Sequence, residues 1–260
     1  MTKELKARRD GASIWMRPER SARGPVPEHS RAEIASAGVL VADAGGLGAV
    51  TMRSAAAAIG TAAASLYRYV ATREELVELM ADQVYGEFSY REPSSGHPVT
   101  DLLELAQQGR AMYHRHPWLL DVSAAGNLPG PNAVAFIEHT LAALAGTDLT
   151  GPAKLETIGL FSGAVRLFAQ TEIGQRRAGQ DMTRWQGSLA GYLAQLAADG
   201  RHPHLAAALA DQPVQPVQPD QHDQHHQGGA GQQEPLFDHA MTRILTGLLP
   251  TAGPTPQARD

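Results

Sequence analysis

Cysteine is absent from this chain, which excludes disulfides, thiol nucleophiles and cysteine-based zinc sites and fits a reducing compartment. Aromatic residues make up only 5% of its 260 residues, so any place where they gather is informative. No apolar run approaches the roughly 20 residues that span a bilayer, and the polar N-terminus lacks the core of a signal peptide. A soluble cytoplasmic protein with no membrane partner is expected. The sequence also lacks G-x-S-x-G, H-E-x-x-H and the phosphate-binding P-loop. Without a nucleophile beside its base, a metal constellation or a cofactor loop, neither an enzyme nor a cofactor is expected.

What is present is 43% hydrophobic composition, enough for a sizeable core. The net charge is -5, which does not by itself suggest a nucleic-acid binder; its distribution matters more. Before Ser30 the basic residues Lys3, Lys6, Arg8, Arg9, Arg17, Arg20 and Arg23 outnumber Glu4, Asp10, Glu19 and Glu28, whereas residues 30–80 are close to neutral. Residues 1–29 read as a flexible basic arm, rich in Arg, Pro, Gly and Ser after Ile14, with Ile14 and Trp15 able to dock it on the body. Such an arm gains DNA affinity by counterion release or by placing arginines in the minor groove.

Ser30-x-x-Glu33 is a capping box that opens a helix to about Ala44, with Ile34, Gly38, Val41 and Gly45 at helical spacing. The stretch Val39-Leu40-Val41-Ala42 before Gly45-Gly46-Leu47-Gly48 also admits a strand and a dinucleotide loop. That alternative fails because Thr51 stands where a third glycine is needed and no later strands complete a βαβ sheet. The glycines read instead as a helix stop. Thr51 then caps a short helix, Gly60-Thr61 breaks it, a second short helix carries Leu66, Tyr67, Arg68 and Tyr69, and Thr72-x-x-Glu75 opens a longer one with Leu76, Leu79, Met80, Gln83 and Val84 on one face. Two short helices around a tight glycine turn suit a helix-turn-helix, and equally an alanine-rich hairpin packed in a core.

The run T-M-R-x-x-A-x-x-I-G followed by S-L-Y-R-Y-V-x-x-R-E-E-L resembles the DNA-binding head of the TetR family of bacterial repressors, over residues 30–80. The resemblance implies a fold that is all-α, a three-helix head (30–90) with a C-terminal helical-bundle domain (98–250) for ligand binding and dimerisation. Expected DNA contacts are Thr51, Arg53, Thr61, Ala62, Ala64, Ser65, Tyr67, Arg68, Tyr69 and Arg73 in the head, with Arg17, Arg20 and Arg23 in the arm. Small residues at 62–64 would allow close approach to bases, and the hydroxyls of Thr51, Tyr67 and Tyr69 would meet phosphates. S-I-W-M-R-P-E is similar to the leader of a subgroup found beside antibiotic-export genes.

Pro93 to Pro98 turns to Pro, Ser and Gly and marks a boundary, after which Thr100-Asp101 is expected to cap a helix to about His114. The pattern H-P-W-L, then G-P-N and an apolar helix resembles the ligand-binding body of tetracycline-repressor-like proteins. From proximity in that resemblance and from apolar or aromatic character, the expected ligand contacts are Trp118, Asn127, Phe136, Ile137, His139, Thr140, Phe161, Val165, Phe168 and Glu172. A helix after Thr150-Gly151-Pro152, with Gly159 and Gly163 inside it, reads as a pocket wall and part of a dimer interface. Further helices should carry Met182, Trp185, Leu189, Tyr192, Leu193 and Leu196, then Phe237, Met241, Ile244, Leu245 and Leu248.

Residues 211–234 between these helices have almost nothing to bury and read as a disordered linker. His222, His225, His226, Asp220 and Asp223 there lack a fixed scaffold, so no metal site is expected. Taken together, the expected function is a homodimeric repressor of a palindromic operator, released by an apolar or amphipathic small-molecule inducer and controlling an exporter. The alternative is a ligand-binding or scaffold protein that has lost DNA binding.

Overall fold

The computed structural model describes residues 13–18, 28–90, 97–122, 128–179, 182–210 and 230–249. Among them every regular element is helical: α1 Arg31–Gly45, α2 Met52–Ala58, α3 Ala63–Leu66, α4 Arg73–Tyr85, α5 Pro98–Arg115, α6 Pro131–Ala143, α7 Gly151–Arg177, α8 Met182–Ala198, α9 Pro203–Ala210 and α10 Ala230–Leu248. Short 3-10 turns at Ile14–Met16, Leu47–Ala49 and Pro117–Asp121 complete the set. None of these helices is long and apolar enough to cross a membrane.

Local chemistry sets the helix ends of the head. The Ser30 hydroxyl accepts from the Glu33 amide at 3.1 Å while the Glu33 carboxylate accepts from the Ser30 amide at 2.8 Å, a complete capping box. Gly46 ends α1 with φ of 75°, a left-handed cap, and Gly60 adopts φ of 70° in the turn after α2. Thr51 caps α2, accepting from the Ser54 amide at 3.0 Å. At α4 only half the expected box forms. The Thr72 hydroxyl accepts from the Glu75 amide at 3.2 Å, but the Glu75 carboxylate accepts from Ala71 N at 2.7 Å and pairs with Arg17 at 2.5 Å.

α1 and α4 pack closely at Gly38, where an added Cβ would lie 2.6 Å from the Met80 sulfur. Ile34, Leu66, Leu76 and Met80 are fully buried around that contact, whereas Gln83 is exposed rather than on the apolar face. Two expectations beyond the head change. α5 starts at Pro98 with His97 as its cap, because proline at the first helical position presets φ; Thr100 and Asp101 lie inside the first turn. The stretch read as linker is helical from Ala230 onward, and the histidine-rich part of it lies outside the described residues.

The chain divides into two compact units, Met1–Gln170 with Asp238–Asp260, and Thr171–Phe237. The first contains the head, α5, α6 and most of α7. The buried stripe of α7 here runs through Ile158, Phe161, Val165 and Ala169, while Leu155, Leu160 and Leu167 are exposed. In the second unit α8 leaves Trp185, Leu189 and Tyr192 exposed, and α9, which the sequence reading did not anticipate, follows it.

Candidate DNA-reading surface and ligand cavity

The helix-turn-helix separates residues that hold it from residues that face outward. Arg73, expected at DNA, spends its guanidinium internally: Nε donates to the Val50 carbonyl and Nη2 to the Leu47 carbonyl, both at 2.7 Å. These bonds fix the loop that delivers Thr51. Tyr69 is also turned inward; it is 9% exposed, and its hydroxyl accepts from the His29 amide at 3.5 Å. By contrast Thr51, Arg53, Ala62, Ala64, Tyr67 and Arg68 are exposed, with Thr61 and Ser65 half-buried. Eight of the ten expected head residues are thus exposed or half-buried, while Tyr69 and Arg73 make contacts inside the head.

The N-terminal segment is docked rather than extended at residues 13–17. Ile14 is completely buried, and Arg31 Nη1 donates to the carbonyls of Ile14 at 3.1 Å and Arg17 at 2.9 Å. Arg17, expected at DNA, is mostly buried in its ion pair with Glu75. Arg20 and Arg23 lie outside the described residues.

Polar contacts tie the head to the body. On α1, Asp43 Oδ1 accepts from Trp118 Nε1 at 2.8 Å and lies 2.7 Å from His116 Nδ1. The other nitrogen of His116 is 2.9 Å from Glu87, which also accepts from Arg115 at 2.7 Å. A second tie runs through Asp82 of α4, which accepts from the amides of Ala133 at 2.9 Å and Asn132 at 3.3 Å. A carboxylate on a helix N-terminus satisfies orphan amides and complements the helix dipole. Burial nevertheless dominates and pushes the Asp82 carboxyl above its ordinary value, with the backbone and side-chain bonds to Ala133 and Asn132 pulling the other way. Gly130 is clamped at the same place: an added Cβ would lie 2.4 Å from the Asp82 carboxyl and 2.6 Å from the Trp15 ring.

Beside this junction lies a cavity of about 250 Å³. α4 contributes Glu78, Ala81, Asp82 and Tyr85; α5 contributes Met112 and Tyr113; Leu119, Val122 and residues 128–130 close one side, and Ala133 and Arg166 complete the wall. Tyr113 is hydrogen-bonded to Tyr85 and to Arg166, and burial raises both phenols above the ordinary value. Arg166 also donates to the Leu120 carbonyl at 2.6 Å. Glu78 is raised too, first by desolvation and then by the charge of Glu75, with Arg17 opposing.

The expected ligand residues mostly stand elsewhere. Phe136, Phe161 and Val165 line a separate void of about 20 Å³ that shares Tyr85, Met112 and Tyr113 with the cavity, and Phe136 packs on Tyr85 and Phe88 at 5.7 and 4.9 Å between ring centroids. Trp118 is buried on Asp43. His139 stacks on Tyr90 at 3.8 Å and bonds the Ala135 carbonyl, and the Thr140 hydroxyl donates back to Phe136 O at 2.8 Å. Ile137, Phe168 and the buried Glu172 are not among the cavity's lining residues, and Asn127 lies outside the described residues. The sequence reading did not single out Glu78, Asp82, Tyr85, Tyr113 and Arg166, which line this cavity. The spacing of Glu78, Asp82 and Tyr85 on one face of α4 was the available signal.

Comparison with known proteins agrees with this architecture. Residues 92–249 match the family model described as tetracyclin repressor-like, C-terminal domain. The HTH-type transcriptional repressor DrrR1 of Streptomyces coeruleorubidus is 33% identical over 204 residues, 76% of this chain and 75% of that protein. An HTH-type transcriptional regulator of Saccharopolyspora erythraea is 27% identical over 241 residues, 93% of each chain. Crystal structures of the Streptomyces coelicolor TetR family protein ActR superpose well. Its complex with actinorhodin gives a TM-score of 0.66 at 25% identity, covering 85% of this chain and 95% of that one, and its complex with (S)-DNPA gives 0.63, covering 88% and 100%. With a helix-turn-helix head, an all-helical body and relatives of this kind, the chain belongs to the TetR family of transcriptional regulators.

Proposed function

We propose that the protein is a homodimeric repressor that binds a palindromic operator and is released by a small apolar or amphipathic molecule held in the cavity. One observation carries the proposal. The helix α4 that begins at the helix-turn-helix is also the cavity wall, through Glu78, Ala81, Asp82 and Tyr85. A ligand pressing on that face acts on the element that positions α3. Asp82 binds the same helix to the N-terminus of α6, and Asp43 links α1 to the Trp118 segment, so the head has two ties to the body that a shift of the cavity wall would strain. Thr51, Arg53, Ala62, Ala64, Ser65, Tyr67 and Arg68 form the proposed reading surface, with recognition helices of the two protomers about 34–36 Å apart.

Dimerisation is supported by α7. Leu160, Gly163 and Leu167 form a stripe opposite the buried one; Leu160 and Leu167 are 53% and 64% exposed, and a Cβ on Gly159 or Gly163 would meet nothing within 4 Å. An exposed leucine stripe with glycines permits close helix approach in a symmetric interface.

Because the relative ActR has been crystallised with actinorhodin and (S)-DNPA, actinorhodin is a suitable first inducer to try. Release needs only differential affinity: a preference of about 1 to 3 kcal/mol for the DNA-incompetent state weakens operator binding 5- to 150-fold. The leader resemblance points to an exporter gene as the target. A mobility shift on the gene's own upstream DNA, with and without actinorhodin and a panel of hydrophobic antibiotics, tests the proposal. A shift abolished by one compound is expected; absence of any shift, with Arg53 and Tyr67 variants behaving like the parent, would favour a scaffold that no longer binds DNA.

A further inference from the structure

We propose that the cavity selects an aromatic ligand bearing an acidic group, a carboxylate or a comparably acidic enol, and that Arg166 is the residue that recognises it. This rests on the cavity being the inducer site. Arg166 lines the cavity half-buried, and its known partners are neutral: the Leu120 carbonyl and the Tyr113 hydroxyl. Among the described residues no carboxylate lies within ion-pair distance of it. A guanidinium offers five N–H donors, so donors remain, and among the described residues no carboxylate pairs with its charge.

The carboxyls that share the cavity do not supply the missing anion. Asp82 is committed to the α6 N-terminus, and the charges that act on Glu78 are Glu75 and Arg17. A partly desolvated cation with no counter-charge is unfavourable. A ligand acid removes that cost and fits the planar fork of the guanidinium in a bidentate pair. Beside Arg166, the phenols of Tyr85 and Tyr113 are raised by burial and so stay protonated as neutral donors for a quinone or phenol oxygen. Met112, Leu119, Val122 and Leu128 provide the apolar surface for rings. The volume, about 250 Å³, sits just below the range of roughly 300–1,000 Å³ usual for small-molecule sites, which favours a compact fused-ring body.

The test uses the full-length protein and three probes sharing one ring system: anthraquinone-2-carboxylic acid, its methyl ester, and 2-(aminomethyl)anthraquinone, titrated by calorimetry. Acid binding at least tenfold tighter than ester is expected in the parent protein. In Arg166→Gln the difference should vanish, and in Arg166→Lys, which keeps the charge without the fork, it should shrink but persist. Thermal melts check that each variant folds; if Arg166→Gln does not, the acid-to-ester ratio in the parent and in Arg166→Lys still decides. Ester or amine binding as tightly as acid, or an acid preference that survives Arg166→Gln, overturns the proposal. Failure of all three probes to bind also overturns it, while an operator shift measured on the same preparation reports separately on the regulator reading.

Discussion

The head and the cavity divide their labour differently. In the head, Ser54, Thr72, Arg73 and Glu75 close caps and loops, while Arg53, Ala62, Ala64 and Tyr67 face outward, and Thr51 does both, capping α2 from an exposed position. In the cavity the same side chains do both: Asp82 caps α6 and lines the wall, and Tyr113 and Arg166 bind each other and the space between them. For the proposed DNA-reading face, a scaffold that does not depend on contact keeps the surface matched to a rigid duplex. For the proposed inducer cavity, polar groups whose partners can be exchanged allow a change of shape on binding.

That contrast can be broken by substitution. The largest effect is expected for Arg73→Met, which strands the Leu47 and Val50 carbonyls; a hydrogen bond from a charged donor contributes about 1.5–3 kcal/mol, but Arg73 is only half-buried and water can replace part of each of its two bonds, so chemical denaturation should show a loss of about 2–3 kcal/mol. A loss below about 0.5 kcal/mol would mean that Arg73 is not structural. Gly130→Ala forces a methyl into Asp82 and the Trp15 ring, an overpacking that typically costs about 1–3 kcal/mol. Amide exchange at residues 14–17 and 132–133 should accelerate together, and acceleration at only one would show that the two contacts are independent. Thr51→Val removes a helix cap, worth about 1 kcal/mol, read as a lower melting temperature.

The smallest effect sharpens the cavity side. The fold disfavours ionised Glu78, whose pKa is raised chiefly by desolvation, so its contribution to stability is most favourable below the ordinary carboxyl value of 4.5 and is lost as pH rises through the raised one. Glu78→Gln should therefore melt slightly higher than the parent at pH 7 and no higher at pH 4. Melting curves that stay parallel across this range would remove the desolvation account.

How much of this was legible in the sequence follows from the same contrast. The capping box at Ser30, the cap at Thr51 and the left-handed glycines are local, since each depends on residues at most four apart; all were readable. Glu75 was only half readable because Arg17 reaches it from far along the chain. Tyr69 and Arg73 look like DNA contacts by motif, and only the fold shows that they also bond the His29 amide and the 47–50 loop. The cavity joins α4, α5, the 128–130 turn and Arg166, residues that no local period connects. Choosing aromatic residues for it found the neighbouring void at Phe136 and Phe161 rather than the cavity with its polar wall.

The most direct test of the account is operator affinity by fluorescence anisotropy across a titration with a compound already shown to raise the protein's melting temperature. For the parent protein the account predicts a 5- to 150-fold weakening at saturation, and for Arg53→Ala weaker binding from the start with a melting temperature unchanged. Operator affinity that stays constant while the compound fills its site would contradict the coupling of cavity to head.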